Sequence, residues 1–357
     1  MSEKSLPNVI VIGAGGVGVI TAVSLCHRGR SHVSLVVRSD YEHVKEHGYS
    51  ISSCDYGQLM GWKPHNLVKS VEGASNDGKF YDFVVVTTKN IPDGPVGSTV
   101  PEVIRPVIES NHRLNSSRQT NVLLVQNGLD IEKDIHKAYD SHDYNLVVLS
   151  GIQLIGSTKI GKGVIEQVGK DHLSVGPFDP KDDRAIAAAY VFIDLYNNEG
   201  HNRVTFDSEV RYARWRKLMY NAVINTTTAL VGMDVPRCLQ FGVDKVGTEE
   251  NIFRPGMREI IAIAASEGIT LNEKDLDFFC NISKDLMFKP SMCVDFLNGQ
   301  LMELETILGN PLRIAKKNGV STPVLFMLYH LLYMVQNKLK ESKGLLKFDE
   351  KKARIVE

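Results

Sequence analysis

The chain has 357 residues, is 43% hydrophobic, and carries 41 Lys+Arg against 42 Asp+Glu for a net charge of -1. That length exceeds what one core usually organises, so two domains are expected. A near-neutral chain has no electrostatic case for wrapping nucleic acid or lying on anionic lipid, which leaves a small molecule as the expected partner.

The start, MSEKSLPN, has no apolar signal core. No run approaches the roughly 20 apolar residues that span a bilayer. The cysteines Cys26, Cys54, Cys238, Cys280 and Cys293 are odd in number and form no CxxC pair. They read as reduced thiols, and a cytoplasmic location is the default expectation.

NVIVI (8–12) is a short apolar run that predicts a strand, and VGVITAVSLCHRG predicts the helix after it. HVSLVV (32–37), DFVVVTT (82–88), NVLLVQ (121–126) and LVVLSGI (146–152) predict further strands. Unbroken aliphatic runs with helices between them predict a parallel sheet covered on both faces. The Gly-rich stretch 156–178 predicts strands and turns, and 185–198 a helix. After about residue 206 helical spacing dominates. SEVRYARWRKLMYNAVINTTTALVG (208–232) is one long candidate, and a second spans 249–268 with Pro255 expected to bend or restart it. Others start at Leu271 and near Ser291, and a last one covers 322–344. The lysine-rich end reads as a solvated tail. The expected architecture is an α/β Rossmann-type dinucleotide-binding domain (1–205) followed by an all-α substrate domain (206–357), with a cleft between them. The apolar C-terminal helices serve equally as domain core or as the face of a homodimer.

Between the first strand and its helix lies GAGGVG: Gly13, Ala14, Gly15, Gly16, Val17 and Gly18. G-x-G-x-x-G in this setting predicts a dinucleotide site. The first glycine makes the turn, the second lets backbone approach a pyrophosphate, the third lets helix and strand pack closely, and the helix N-terminus faces phosphate. Past the second strand stands Arg38 rather than an acid. A guanidinium suits a 2′-phosphate, so NADP is favoured over NAD, with Asp40 as the competing ribose acid. Lys89 and Asn127 follow two further strands, on the edge where ligands bind open parallel sheets.

In RWRKLMYNAVIN (214–225), Lys217, Asn221 and Asn225 are spaced i, i+4, i+8. On a helix they share a stripe drifting about 40° per step. A lysine and two amides on an otherwise apolar helix need partners, which points to a pocket. No metal-ligand spacing, P-loop or GxSxG competes.

GAGGVG, VVR, VTTK, QNG, RWRKLMYNAVIN, SMCVD and MELE occur in order from residue 9 to about 330, and together they resemble ketopantoate reductases (2-dehydropantoate 2-reductases). The resemblance implies Lys217 as the catalytic acid and Asn127, Asn221, Asn225 and Ser291 as substrate-binding residues. It implies Lys89, Asn127 and Glu303 as cofactor contacts and Arg38 as the residue selecting NADPH/NADP. The implied reaction is reduction of a ketone beside a carboxylate, ketopantoate to (R)-pantoate for pantothenate and coenzyme A. A lysine with its ordinary pKa of about 10.4 stays charged at neutral pH, and Glu303 would favour that further. Two departures bear on the substrate. The family's IN-P-LTA appears here as INTTTAL, and a further substrate asparagine is replaced near Val235. They keep open a relative acting on other 2-oxo acids, oxo esters or bulkier ketones. A dinucleotide-binding sensor without turnover is the third reading.

Overall fold

Strands form where the aliphatic runs lie. The protein is described by a computed structural model covering residues 6–356. Ten strands make one sheet: β1 (Asn8–Ile12), β2 (His32–Val36), β3 (Tyr49–Ser53), β4 (Gly57–Trp62), β5 (Asn66–Val68), β6 (Phe83–Val86), β7 (Thr120–Leu124), β8 (Leu146–Gly161), β9 (Val164–Pro177) and β10 (Arg203–Phe206). Their order is β4-β3-β9-β8-β7-β6-β1-β2-β5, with β10 on β9. From β5 through β2, β1, β6 and β7 to β8 every pairing is parallel.

The parallel sheet expected from the aliphatic runs forms, and strands outside those runs extend it. β8 pairs antiparallel with β9, and β3 with β4, so the sheet is mixed. The cause is local. Lys162 and Gly163 join β8 to β9, and Gly163 takes a φ of +65°, which suits a tight hairpin. A hairpin can return the chain at once, whereas a parallel partner needs a crossover.

The central strands alternate between two apolar layers, as a period of two requires. Val9, Val11, Val33, Leu35, Phe83 and Val85 pack with the helices Gly16–His27 and Asp183–Tyr196. Ile10, Ile12, Val36, Val84 and Val86 pack on the other face with Val100–Leu114 and Glu132–Ala138. Both faces are therefore covered.

The chain divides into two compact units. The first takes Met1–Thr88, Val100–Gln126 and Ile131–Val210; the second takes Lys89–Thr99, Asn127–Asp130 and Arg211–Glu357. The second is helical, and its core gathers around Trp215, Met219, Val223, Phe253, Met257 and Leu325. The lysine-rich end from 339 onward, expected to be a solvated tail, first completes the helix Pro323–Ser342 and then forms a small exposed hairpin of Lys347–Asp349 and Arg354–Val356.

The long helix predicted for 208–232 exists with one irregularity. Val210–Tyr220 and Thr226–Val231 are α-helical, and Asn221–Asn225 between them is a π segment. Two more π segments, Glu249–Phe253 and Glu305–Gly309, each run into a helix with proline in its first turn, Pro255 and Pro311. Proline donates no N–H and crowds the carbonyl four residues back, and a widened turn accommodates both effects. Pro255, expected to bend or restart its helix, is instead carried in a continuous one that widens to a π turn just before it.

Among the described residues no helix is long and apolar enough to cross a membrane, no group of side chains could hold a metal ion, and all five cysteines are free thiols.

Candidate active site

The glycine loop sits in the first unit, at the carboxyl end of β1. Gly13 has a φ of +121°, and a Cβ there would lie 2.7 Å from Thr87 Oγ1. A Cβ on Gly18 would meet Gly13 O at 1.9 Å, so only glycine lets helix and loop close together. Gly15 faces open space. The first bond of the helix runs from Val19 N–H to Gly15 O, and the N–H groups before it have no partner along the helix. A backbone turn, an open approach and a helix N-terminus of this kind fit a dinucleotide pyrophosphate.

Arg38 is exposed just beyond β2, while Asp40 is buried and committed. One Asp40 oxygen accepts from Ser39 Oγ at 2.9 Å, and the other from Gly163 N at 3.0 Å and from Lys159 at 2.6 Å. Burial alone would raise this carboxyl. The bonds from Lys159, Gly163 and Ser39 outweigh it and hold the group below its ordinary value. Asp40 thus fastens the β8–β9 turn, while Arg38 stays open to solvent.

The second unit brings together residues far apart in sequence. Lys217 Nζ donates to Asn127 Oδ1 at 2.9 Å, and Asn127 Nδ2 donates to Glu303 Oε2 at 3.1 Å. The other Glu303 oxygen accepts from Asn90 N at 3.0 Å. The segment bearing Asn127 is fixed on three sides. Leu129 N donates to Thr306 O, Asn310 Nδ2 to Leu129 O, and the buried Arg214 guanidinium to Gly128 O. Gly128 has a φ of +105°, and a Cβ there would lie 2.5 Å from Thr306 Cβ. Glycine at this position lets the loop press against the helix that follows Glu303.

Sequence reading expected an ordinary lysine pKa. Desolvation, with help from the nearby Arg214 charge, instead lowers Lys217 to about 8, and the opposing pull of Glu303 does not cancel it. Part of the residue keeps solvent contact, but its ammonium end is surrounded by protein. Lys89 forms an ion pair with Asp295, the last residue of SMCVD, for which the sequence reading named no role. Burial raises the Asp295 carboxyl above its usual range; Lys89 opposes this, while Glu303 adds to it. The two partners lie 206 residues apart, so no local spacing announces them.

The helix carrying Lys217, Asn221 and Asn225 changes its winding at Asn221. The wider i→i+5 turn rotates each residue through a smaller angle than an α turn, so the π segment runs the drift back instead of adding a second step. Asn221 is buried, and its amide has no protein partner among the described residues. Asn225 is different. Its Oδ1 accepts from Met292 N at 2.8 Å and its Nδ2 donates to Ser291 Oγ at 3.2 Å, so its amide caps the short helix Ser291–Leu297. Two of the three threonines after it bond back along their own helix: Thr226 Oγ1 to Ala222 O, and Thr228 Oγ1 to Asn225 O. Val235 is buried in the helical core.

A glycine-loop unit for a dinucleotide, joined to a helical unit carrying a desolvated lysine among amides and a carboxylate, defines a nicotinamide-dependent oxidoreductase. Two family models match it, ketopantoate reductase PanE/ApbA over residues 9–180 and ketopantoate reductase PanE/ApbA C terminal over residues 209–336, and the chain belongs to the ketopantoate reductase family. It is therefore an NADP-dependent oxidoreductase acting on CH–OH groups, built as a Rossmann-type unit with a helical unit after it. Uncharacterized protein YDL144C of Saccharomyces cerevisiae is 61% identical, covering 99% of this chain and all of the relative. The crystal structure of 2-dehydropantoate 2-reductase from Methylococcus capsulatus superposes with a TM-score of 0.74 at 29% identity, covering 93% of this chain and 97% of that one. A ternary structure of D-mandelate dehydrogenase with NADH and anilino(oxo)acetate gives a TM-score of 0.75 at 21% identity, over 94% and 100% of the two chains; that likeness is one of fold.

Proposed function

We propose that the protein reduces a 2-oxo acid with NADPH, that ketopantoate is the substrate, and that Lys217 is the general acid. The observation that carries this is the Lys217–Asn127–Glu303 chain, with Lys217 lowered to about 8. A group titrating near neutrality gives up its proton more readily than an ordinary lysine and still holds it at pH 7.

In this reading Gly13 to Gly18 and Arg38 hold the dinucleotide, with Lys89, Asn127 and Glu303 as further contacts. Bound NADPH supplies the hydride. Lys217 stabilises the negative charge that develops on the ketone oxygen and donates its proton there. Asn127 orients the ammonium, and Asn221 offers its unbonded amide to the substrate. Ser291 and Asn225 act as a pair: Asn225 holds the serine hydroxyl in place, and that hydroxyl meets the substrate carboxylate.

A second reading, a 2-oxo acid or ketone with a less polar far end, rests on Val235. Where the family resemblance predicts an amide, this chain buries a valine in its core. The test is purified protein with NADPH and a panel of ketopantoate, other 2-oxo acids, oxo esters and bulkier ketones, followed by NADPH consumption. Turnover of ketopantoate with the highest kcat/KM supports the first reading. Preference for an apolar ketone moves the assignment to the second, and NADPH binding without any turnover sinks both.

A further inference from the structure

Glu303 lies in irregular backbone, between a stretch without regular structure and the π segment Glu305–Gly309. Neither a ladder nor a regular helix fixes the residue before it, Met302, which is fully buried. Its two backbone groups are nevertheless both satisfied. Gln336, on the helix Pro323–Ser342, accepts from Met302 N with Oε1 at 3.0 Å and donates from Nε2 to Met302 O at 3.0 Å. Gln336 is itself entirely buried. Its Nε2 also approaches Asp93 Oδ2 at 3.4 Å, and Lys340, one turn further along the helix, pairs with that oxygen at 2.7 Å.

This side-chain amide pairs with one peptide unit as a neighbouring strand would. At neutral pH a primary amide of this length supplies a donor and an acceptor at once; an ionised carboxylate offers acceptors alone, and a methionine no donor and only a weak acceptor. Buried polar groups are costly to leave unpaired, so the clasp determines where Met302, and hence the next residue, stands. From there the chain runs through Glu303 to Asn127 and Lys217.

We propose that Gln336 is a positioning residue for the reaction: its clasp on Met302 sets the Glu303 carboxylate, and through it the orientation and acidity of Lys217. This rests on the reading of Lys217 as the acid, and the test reads the lysine by a route that needs no turnover.

Gln336→Met keeps size and apolar packing but removes the clasp. Two measurements are made on it: kcat and KM across pH, and the pH dependence of Lys217 acetylation by acetic anhydride, read by peptide mass spectrometry. With Glu303 displaced, Lys217 loses the partner that raises its pKa, so both profiles shift to lower pH. kcat falls about tenfold or more, because small displacements of catalytic groups have effects of that order, and the NADPH dissociation constant changes less than the rate does. The double variant Gln336→Met/Glu303→Gln shows no further shift of the lysine beyond Glu303→Gln alone, which is the coupling expected of a residue acting through another.

An unmoved acetylation profile in Gln336→Met, or full additivity with Glu303→Gln, overturns the proposal. Should Gln336→Met fail to fold, Gln336→Glu serves. Its buried carboxyl regains a donor when protonated, so its activity relative to the parent recovers as pH falls; a ratio flat with pH defeats the idea. If the parent protein turns over no ketone, the functional reading fails while the acetylation arm still judges the clasp.

Discussion

Lys217 donates to Asn127 across 90 residues of sequence, from the first helix of the helical unit to a four-residue loop of the same unit. That bond orients an ammonium whose desolvation has lowered it to about 8. The pH dependence follows from the sign of the shift. With Lys217 in its proposed role as the acid, reduction needs the protonated amine, so kcat for the ketone should be level below pH 8 and fall about tenfold per pH unit above it. Oxidation of the hydroxy acid needs the free amine and rises over the same interval. A midpoint near that of an ordinary lysine would remove the desolvated amine from the mechanism. Lys217→Ala should lose most turnover while keeping NADPH affinity near the parent value, as read by fluorescence titration.

Gly128 governs where Asn127 stands. Alanine at this position would need a left-handed φ and would drive a methyl into Thr306. The expected cost is about 1–3 kcal/mol of stability, and displacement of Asn127 by about 1 Å lowers kcat/KM by on the order of 100-fold. Thermal melting and steady-state kinetics measure the two effects on one sample. A variant that is destabilised yet fully active would show that the loop's position does not matter to the chemistry.

Lys89 meets a carboxylate in its own unit. If it also contacts the dinucleotide, binding must break its pair with Asp295. Asp295→Asn removes that competitor, and the dissociation constant for NADPH should tighten by about two- to fivefold, the scale of a partly exposed ion pair. Lys89→Ala should weaken it. The opposite order in a calorimetric titration would mean that the pair holds Lys89 in its binding position.

Much of this was legible in the sequence because it is local. The aliphatic runs predicted β1, β2, β6 and β7 nearly to the residue, and GAGGVG lay between a strand and a helix as expected. The expectation that the polar residues of 214–225 need partners was also local, and Lys217 and Asn225 do have them. What stayed hidden depends on contacts between distant segments. The antiparallel β8–β9 pairing follows from a turn inside a stretch that composition marks only as Gly-rich, and no aliphatic run announces β3 and β4. Asp295 closes the SMCVD motif without a role assigned to it, and Gln336 belongs to no motif; their roles appear only when Lys89 and Met302 come beside them. The lowered pKa of Lys217 comes from burial, and a spacing rule reports which way a residue faces, not how much protein surrounds it.

Cofactor choice separates two neighbouring residues that sequence alone left in competition. Asp40 has both oxygens engaged, by Ser39, Gly163 and Lys159, whereas Arg38 is exposed beyond β2. Arg38→Asp should therefore move preference from NADPH toward NADH. Loss of a charged hydrogen bond to the 2′-phosphate is worth about 1.5–3 kcal/mol, or roughly 10- to 100-fold in kcat/KM for NADPH. Asp40→Asn should leave the NADPH/NADH ratio near the parent value and instead lower the melting temperature, because it loosens the β8–β9 turn. Steady-state kinetics with both dinucleotides, beside melting curves for both variants, decide the matter. A ratio that moves with Asp40 and not with Arg38 reverses the assignment.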